Sequence, residues 1–261
     1  MGEAETPWAM RGTSLCLAAL IATAFAASTP TFAGPPFNTD DPEPVDLGHW
    51  EIYAFSTATQ LRCDFGGTLV GTEVNYGAAP NLQLHIIVPM AFDAPQGGSM
   101  QLGAGDIELG AKYRFVDPEP DDWWPQVGVF PLVEVPTGDP KRGLGGGYTR
   151  AYFPVWLQRN FGRWTSYGGG GYWSNPGPGN RNYWFAGWLL QYQAMDNLAL
   201  GGELFHQTAS TIGGKDATGF NLGGIYDFTD HYHLLFSAGR GLQNVPDSNQ
   251  FSYYLAIQWT G

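Results

Sequence analysis

Residues 103–116 read GAGDIELGAKYRFV, and their two faces separate at a period of two. Ile107, Leu109, Ala111, Tyr113 and Phe115 fall on one side, and Asp106, Glu108, Gly110, Lys112 and Arg114 on the other. Alternation of this kind predicts a β-strand with one apolar and one charged face. The pattern returns at residues 70–76, 82–92, 127–135, 151–157, 184–192, 198–204, 220–228, 232–238 and 251–259. Two further stretches, 49–60 and 164–173, are strand-like without revealing which face is apolar. Twelve strands are expected, starting near residues 49, 67, 81, 105, 126, 148, 164, 183, 198, 218, 231 and 250.

The connections alternate in character. GAAPN (77–81), NFGR (160–163), AMDN (194–197) and FTDH (228–231) are short, with DPEPDDWW (117–124) a longer exception. Segments 93–105, 137–147, 174–182, 208–217 and 241–249 are longer and rich in Gly, Pro and Asn. Aromatic residues gather at both strand ends. Trp50, Tyr76, Phe115, Trp124, Phe161, Trp164, Tyr192, Phe228, Tyr232 and Trp259 stand at the short-turn end. Phe65, Phe92, Tyr148, Trp173, Trp184, Phe205, Phe220 and Phe251 stand at the long-loop end. Two girdles one strand apart, with short turns on one side only, predict an all-β, transmembrane, antiparallel up-and-down β-barrel. Hydrocarbon leaves no water to pair backbone groups, so a spanning sheet must close on itself. The even strand number then puts both termini in the periplasm of a bacterial outer membrane.

Composition agrees. The 261 residues include 37 glycines and 15% aromatics but only 14% charged residues, against about 25% in water-soluble domains. The one long apolar run, SLCLAALIATAFAAS at 14–28, follows Arg11 and precedes the small residues Thr31 and Ala33. It reads as a secretory signal peptide, 1–33, being too short for a spanning helix of about 20 residues. Met10 is an alternative start, because Glu3 and Glu5 sit badly in a signal peptide. The remainder divides into an acidic, proline-rich leader (34–48) and the barrel (49–261). Without Glu3, Glu5 and Arg11, the 24 acidic and 12 basic side chains fall to 22 and 11, a balance that argues against a nucleic-acid partner. Cys63 alone remains beyond the leader peptide, so no internal disulfide is expected.

The stretches TDDPEPV and GHWEIY at the start of the mature chain, with GDIELGAKYRF in the middle, carry a resemblance. They resemble a family of bacterial outer-membrane proteins assigned as transporters for the meta-cleavage pathway of phenol degradation. The resemblance runs from about Gly34 to the C-terminus and implies an outer-membrane transporter. A small aromatic solute is implied by the family name alone, since no residue motif reads out phenol.

Inside such a barrel the polar face would line the lumen, with Glu73, His85, Asp106, Glu108, Lys112, Arg114, Glu134, Glu203 and Asp227 as the candidates. Asn75, Arg150, Gln158, Asn221 and His233 would join them. Asp106 and Glu108 should sit nearer the cell exterior, Lys112 and Arg114 nearer the periplasm. Two readings follow: a polar pore that sorts small solutes by charge, or a salt-bridged network that fills the lumen of a structural or surface-binding barrel. The leader likewise is either an extended periplasmic tail or a plug paired with lumen Arg and Lys. A barrel hydrolase is the remote alternative, and no nucleophile–histidine–acid motif supports it. The histidines 49, 85, 206, 231 and 233 form no metal-ligand pattern beyond His231-x-His233, and GLGGG (143–147) lacks the lysine of a phosphate loop. No enzyme activity, cofactor or metal is expected. The expected partners are outer-membrane lipid, a small solute and the barrel assembly machinery, which would read the C-terminal strand FSYYLAIQWTG. The barrel is expected to be monomeric.

Overall fold

The computed structural model describes residues 35–119 and 122–261. The expected signal peptide lies outside the described residues. The segments, in chain order, are β1 (Trp50–Gln60), β2 (Asp64–Ala79), β3 (Leu82–Pro95), β4 (Gln101–Ala104), β5 (Ile107–Val116), β6 (Gln126–Val129) and β7 (Leu132–Val135). After a 3-10 turn (Pro140–Arg142) follow β8 (Arg150–Phe161), β9 (Trp164–Ser174), β10 (Tyr183–Met195), β11 (Leu198–Gln207), β12 (Ala217–Asp227), β13 (Tyr232–Gly241) and β14 (Phe251–Thr260). Each pairs antiparallel with its chain neighbours, β4 and β5 serving as one wall strand and β6 and β7 as another. The ends meet: β1 pairs with β14 from Glu51↔Thr260 to Gln60↔Phe251. The result is a closed barrel of twelve wall strands.

Facing follows the alternation. On β3, Leu84, Ile86, Val88 and Met90 are exposed, whereas Gln83, His85 and Ile87 are buried. On β5, Leu109, Tyr113 and Phe115 point out, and Glu108 and Lys112 point in. A shift of register by one residue would turn Lys112 and Arg114 toward lipid, at about 2–4 kcal/mol for each basic group at the midplane.

Glycine and aromatic enrichment share a cause. Phe55 stands across from Gly71, Trp188 from Gly168 and Phe205 from Gly219. A Cβ at these glycines would lie 2.2, 2.5 and 2.6 Å from the ring atoms, so each ring rests on its glycine.

Three expectations need correction. The strand at 103–116 is interrupted: Gly105 and Asp106 leave the ladder, and the Asp106 carboxylate instead accepts from Gly138 N (2.9 Å) and Gly146 N (2.6 Å). Segment 93–105 is less a loop than a hairpin, in which Met90–Asp93 pair with Ala104–Gln101. Phe92 and Trp173, assigned to the outer girdle, are both only 4% exposed. Trp173 turns inward and stacks on Tyr152 at 4.7 Å and on Tyr183 at 5.9 Å. The other strand break, at Phe130-Pro131, follows from chemistry, because proline has no N–H for the ladder.

Candidate functional site: the barrel interior and its leader

The leader lies inside the barrel. Pro36, Phe37, Thr39, Asp40 and Pro42 are buried, and the chain makes contact all round the wall. Glu203 of β11 accepts two leader amides at once, Asn38 N on Oε1 and Thr39 N on Oε2, both at 2.8 Å. Asn221 donates to the same carboxylate at 2.6 Å and fixes its plane. Lys112 of β5 reaches Asp40 at 2.9 Å and Asp41 at 3.5 Å. Its ammonium also lies 5.0 Å from the centre of the Phe130 ring.

Nearer the short-turn end, Gln158 of β8 donates to Glu43 at 2.7 Å, and Gln83 of β3 accepts from Val45 N at 3.0 Å. Ser237 of β13 donates to the Pro36 carbonyl. Phe37 packs against Tyr167 and Leu189. Wall glycines leave room for this chain. A Cβ on Gly187 would meet Thr39 Oγ1 at 2.0 Å, and one on Gly77 would meet the Asp46 carbonyl at 1.9 Å. The leader leaves the interior at a bridge from Leu47 to Gly77, beside the start of β1. Four prolines between residues 35 and 44 keep it from pairing as a strand, so side chains of the wall satisfy its amides instead.

Around the leader the wall groups form separate clusters. His85 contacts Asn75 Oδ1 through Nδ1 (2.7 Å) and Glu108 Oε1 through Nε2 (3.0 Å), while Asn75 donates to Glu73 at 2.9 Å. Glu134 pairs with Arg150, whose guanidinium lies 5.5 Å from the Trp173 ring. Asp106 ties loop 137–147 across the long-loop mouth, and Leu144 of that loop is buried. At the opposite end Arg114 binds Asn81 and Asp117, both at 2.9 Å, and approaches Glu43 at 3.7 Å. Asp227 accepts from His233 at 2.7 Å beside the 228–231 turn.

Of the nine candidates, Glu73, His85, Glu108, Lys112, Glu134 and Glu203 thus lie buried within the barrel, and Asp106, Arg114 and Asp227 stand toward its ends. Among the described residues, Lys112, Glu203 and Arg114 of this set make hydrogen bonds or ion pairs with the leader. Sequence reasoning missed Gln83, Ser237 and the inward aromatic set of Tyr152, Trp156, Trp173 and Tyr183. Above the leader a vestibule of about 420 Å³ opens at the long-loop end, with Tyr152, Trp173, Tyr183, Asp64, Asp93 and Lys215 in its lining. Among the described residues no group of three or more His, Cys, Asp or Glu could hold a metal, and no helix is long and apolar enough to cross a membrane.

No family model matches the chain, and no curated protein matches it. Solved structures do. A COG4313 outer membrane channel from Pseudomonas putida F1 superposes with a TM-score of 0.69 at 16% identity, covering 85% of this chain and 98% of that one. The NanC porin gives 0.56 at 9% identity, with 80% and 98% covered. The KdgM porin in complex with disordered oligogalacturonate gives 0.54 at 10% identity, with 79% and 98% covered. At these identities the likeness establishes the fold: a closed, twelve-stranded, porin-like barrel of the kind found in outer membranes.

Proposed function

We propose that this protein is a bacterial outer-membrane channel for small solutes, and that its own leader occupies the conduit as a plug. The observation that carries this reading is the leader's attachment to the wall through polar contacts, above all Lys112–Asp40 and the two-amide grip of Glu203. A segment held by side chains can be released without opening a single strand pair. Wall charges of both signs favour small polar solutes. A small aromatic solute rests on the family resemblance, and the stacked rings lining the vestibule offer it a surface. In this reading both termini are periplasmic, the barrel is a monomer, and the assembly machinery engages β14.

Planar-bilayer recordings on the mature protein and on a variant lacking 34–46 test it. Discrete conductance steps are expected, larger in the deletion variant; silence from both across a range of salts would overturn it. Liposome swelling with sugars, amino acids and small aromatics then ranks the solutes. One observation favours a second reading, a filled barrel acting through its loops: Phe130, Leu132, Tyr152 and Trp156 pack as a core inside the wall. In that case deleting 137–147 would abolish function while Glu108→Gln would leave it unchanged.

A further inference from the structure

Phe37 of the leader, 1% exposed, fills an apolar notch formed by Tyr167 of β9 and Leu189 of β10. A Cβ on Gly201 of β11 would touch the far end of its ring at 3.4 Å, so the notch has the depth of one phenyl group. Beside the notch, Glu203 accepts the next two backbone N–H groups, Asn38 on one oxygen and Thr39 on the other. The wall itself orients this carboxylate: Asn221 donates to it at 2.6 Å, Ser252 Oγ donates to Asn221 Oδ1 at 3.4 Å, and Asn249 donates to Ser252 at 2.8 Å. Notch and carboxylate thus belong to adjacent strands of the wall and do not depend on the leader for their placement. They read a ring and a peptide backbone, because Asn38 Oδ1 has no hydrogen-bond partner among the described residues. Asn38 also borders the vestibule of about 420 Å³, so a solute entering from the long-loop end reaches the leader at this point.

We infer that this notch is a recognition site for short peptides bearing an aromatic side chain, and that the leader occupies it in their place. Such a solute brings what Phe37, Asn38 and Thr39 bring: a ring for Tyr167, Leu189 and Gly201, and two successive N–H donors for the two oxygens of Glu203. A ring without those donors fills the notch but leaves a buried acceptor unpaired, so the site discriminates in favour of the peptide. Solute and leader cannot hold the site together. Peptide binding therefore draws the leader out, and a weaker leader raises the apparent affinity for peptide. The inference rests on the reading of the barrel as a channel with a releasable leader, and it names the solute that such a channel would select.

Titration calorimetry on the detergent-solubilised full chain, wild type and Phe37→Ala, tests it. The probe is the acetylated, amidated dipeptide of phenylalanine and asparagine, which is uncharged and carries the ring and both N–H donors. Phe37→Ala lies in the leader and leaves every wall residue native, so the folding of the barrel is not at stake. Removing the competing ring should tighten the dipeptide about tenfold or more relative to wild type. The same dipeptide with alanine in place of phenylalanine, and the methyl ester that lacks the terminal N–H groups, should each bind about tenfold or more weakly than the probe. In wild type the probe should also speed protease clipping within residues 35–48. No binding by either protein, equal affinity in the two, binding of the alanine dipeptide or the ester as tight as that of the probe, or clipping that the probe does not change would each overturn the inference. Conductance of the same samples reports separately on the channel: binding in a silent barrel would keep the site and remove the channel, and conductance without binding would do the reverse.

Discussion

Lys112 Nζ lies 2.9 Å from Oδ1 of Asp40, across 72 residues of sequence, and both side chains are shut away from solvent. This one pair joins the leader to the wall at the level of β5. Breaking a buried pair by removing one partner strands the other charge, at about 3–5 kcal/mol.

Lys112→Met should therefore loosen the leader more than it weakens the barrel, because the strand ladder does not pass through this side chain. Larger or more frequent conductance steps, together with faster protease clipping within residues 35–48, are the expected readouts. Unchanged conductance with an unchanged digestion pattern would show that the pair does not retain the leader.

The lipid-facing side should respond to charge according to depth. Leu222, in the middle of β12 and 62% exposed, should cost about 2–4 kcal/mol when replaced by Arg. Asp196→Arg, in the turn between β10 and β11, should cost no more than about 1 kcal/mol. Urea unfolding of barrels inserted in lipid vesicles measures both, and equal losses at the two sites would contradict the membrane depth assigned here.

Phe55 and Gly71 should behave as a unit. A side chain at Gly71 meets the Phe55 ring at 2.2 Å, so Gly71→Val should destabilise by about 1–3 kcal/mol through overpacking. Combining it with Phe55→Ala should give less than the sum of the two losses, since the clash disappears with the ring. Strict additivity in the double-mutant cycle would mean that the ring does not rest on the glycine.

Topology can be read with thiols. In a Cys63→Ser background, Ile212→Cys lies in the long connection 208–216 at 75% exposure and should react with an impermeant maleimide on intact cells. Asp196→Cys, at a short turn, should react only after the outer membrane is permeabilised. The reverse pattern would invert the barrel.

Most of the wall was legible because lipid enforces apolar residues at every second position, whatever the lumen contains. In the two strands whose facing stayed ambiguous, β1 and β9, the inner face carries aromatic rings as well. Tyr53 and Phe55 on β1, and Tyr167 and Trp173 on β9, point inward, so neither face stands out. The interior residues were legible as a face, not as partners. Which wall group meets Asp40 depends on the register of all the strands between, and no local pattern holds that information. Glu203 did leave a trace, being an inward carboxylate with no basic residue at the same level on its neighbours, Leu189 and Asn221. The neutral contacts of Gln83 and Ser237 left none, since an inward Gln or Ser looks the same whether or not it grips a leader.

The seam at which the cylinder shuts has a consequence for biogenesis. It joins β1 to β14, the first and last strands made, with Trp50 and Gly261 exchanging backbone hydrogen bonds. The leader emerges from the ribosome before every strand and is fastened at Leu47 directly next to that seam. Closing the seam brings together residues 191–209 positions apart, and contacts of such long sequence separation are slow to form. A nascent sheet still open along this line would admit the leader sideways, whereas a finished one leaves the barrel ends as its way in.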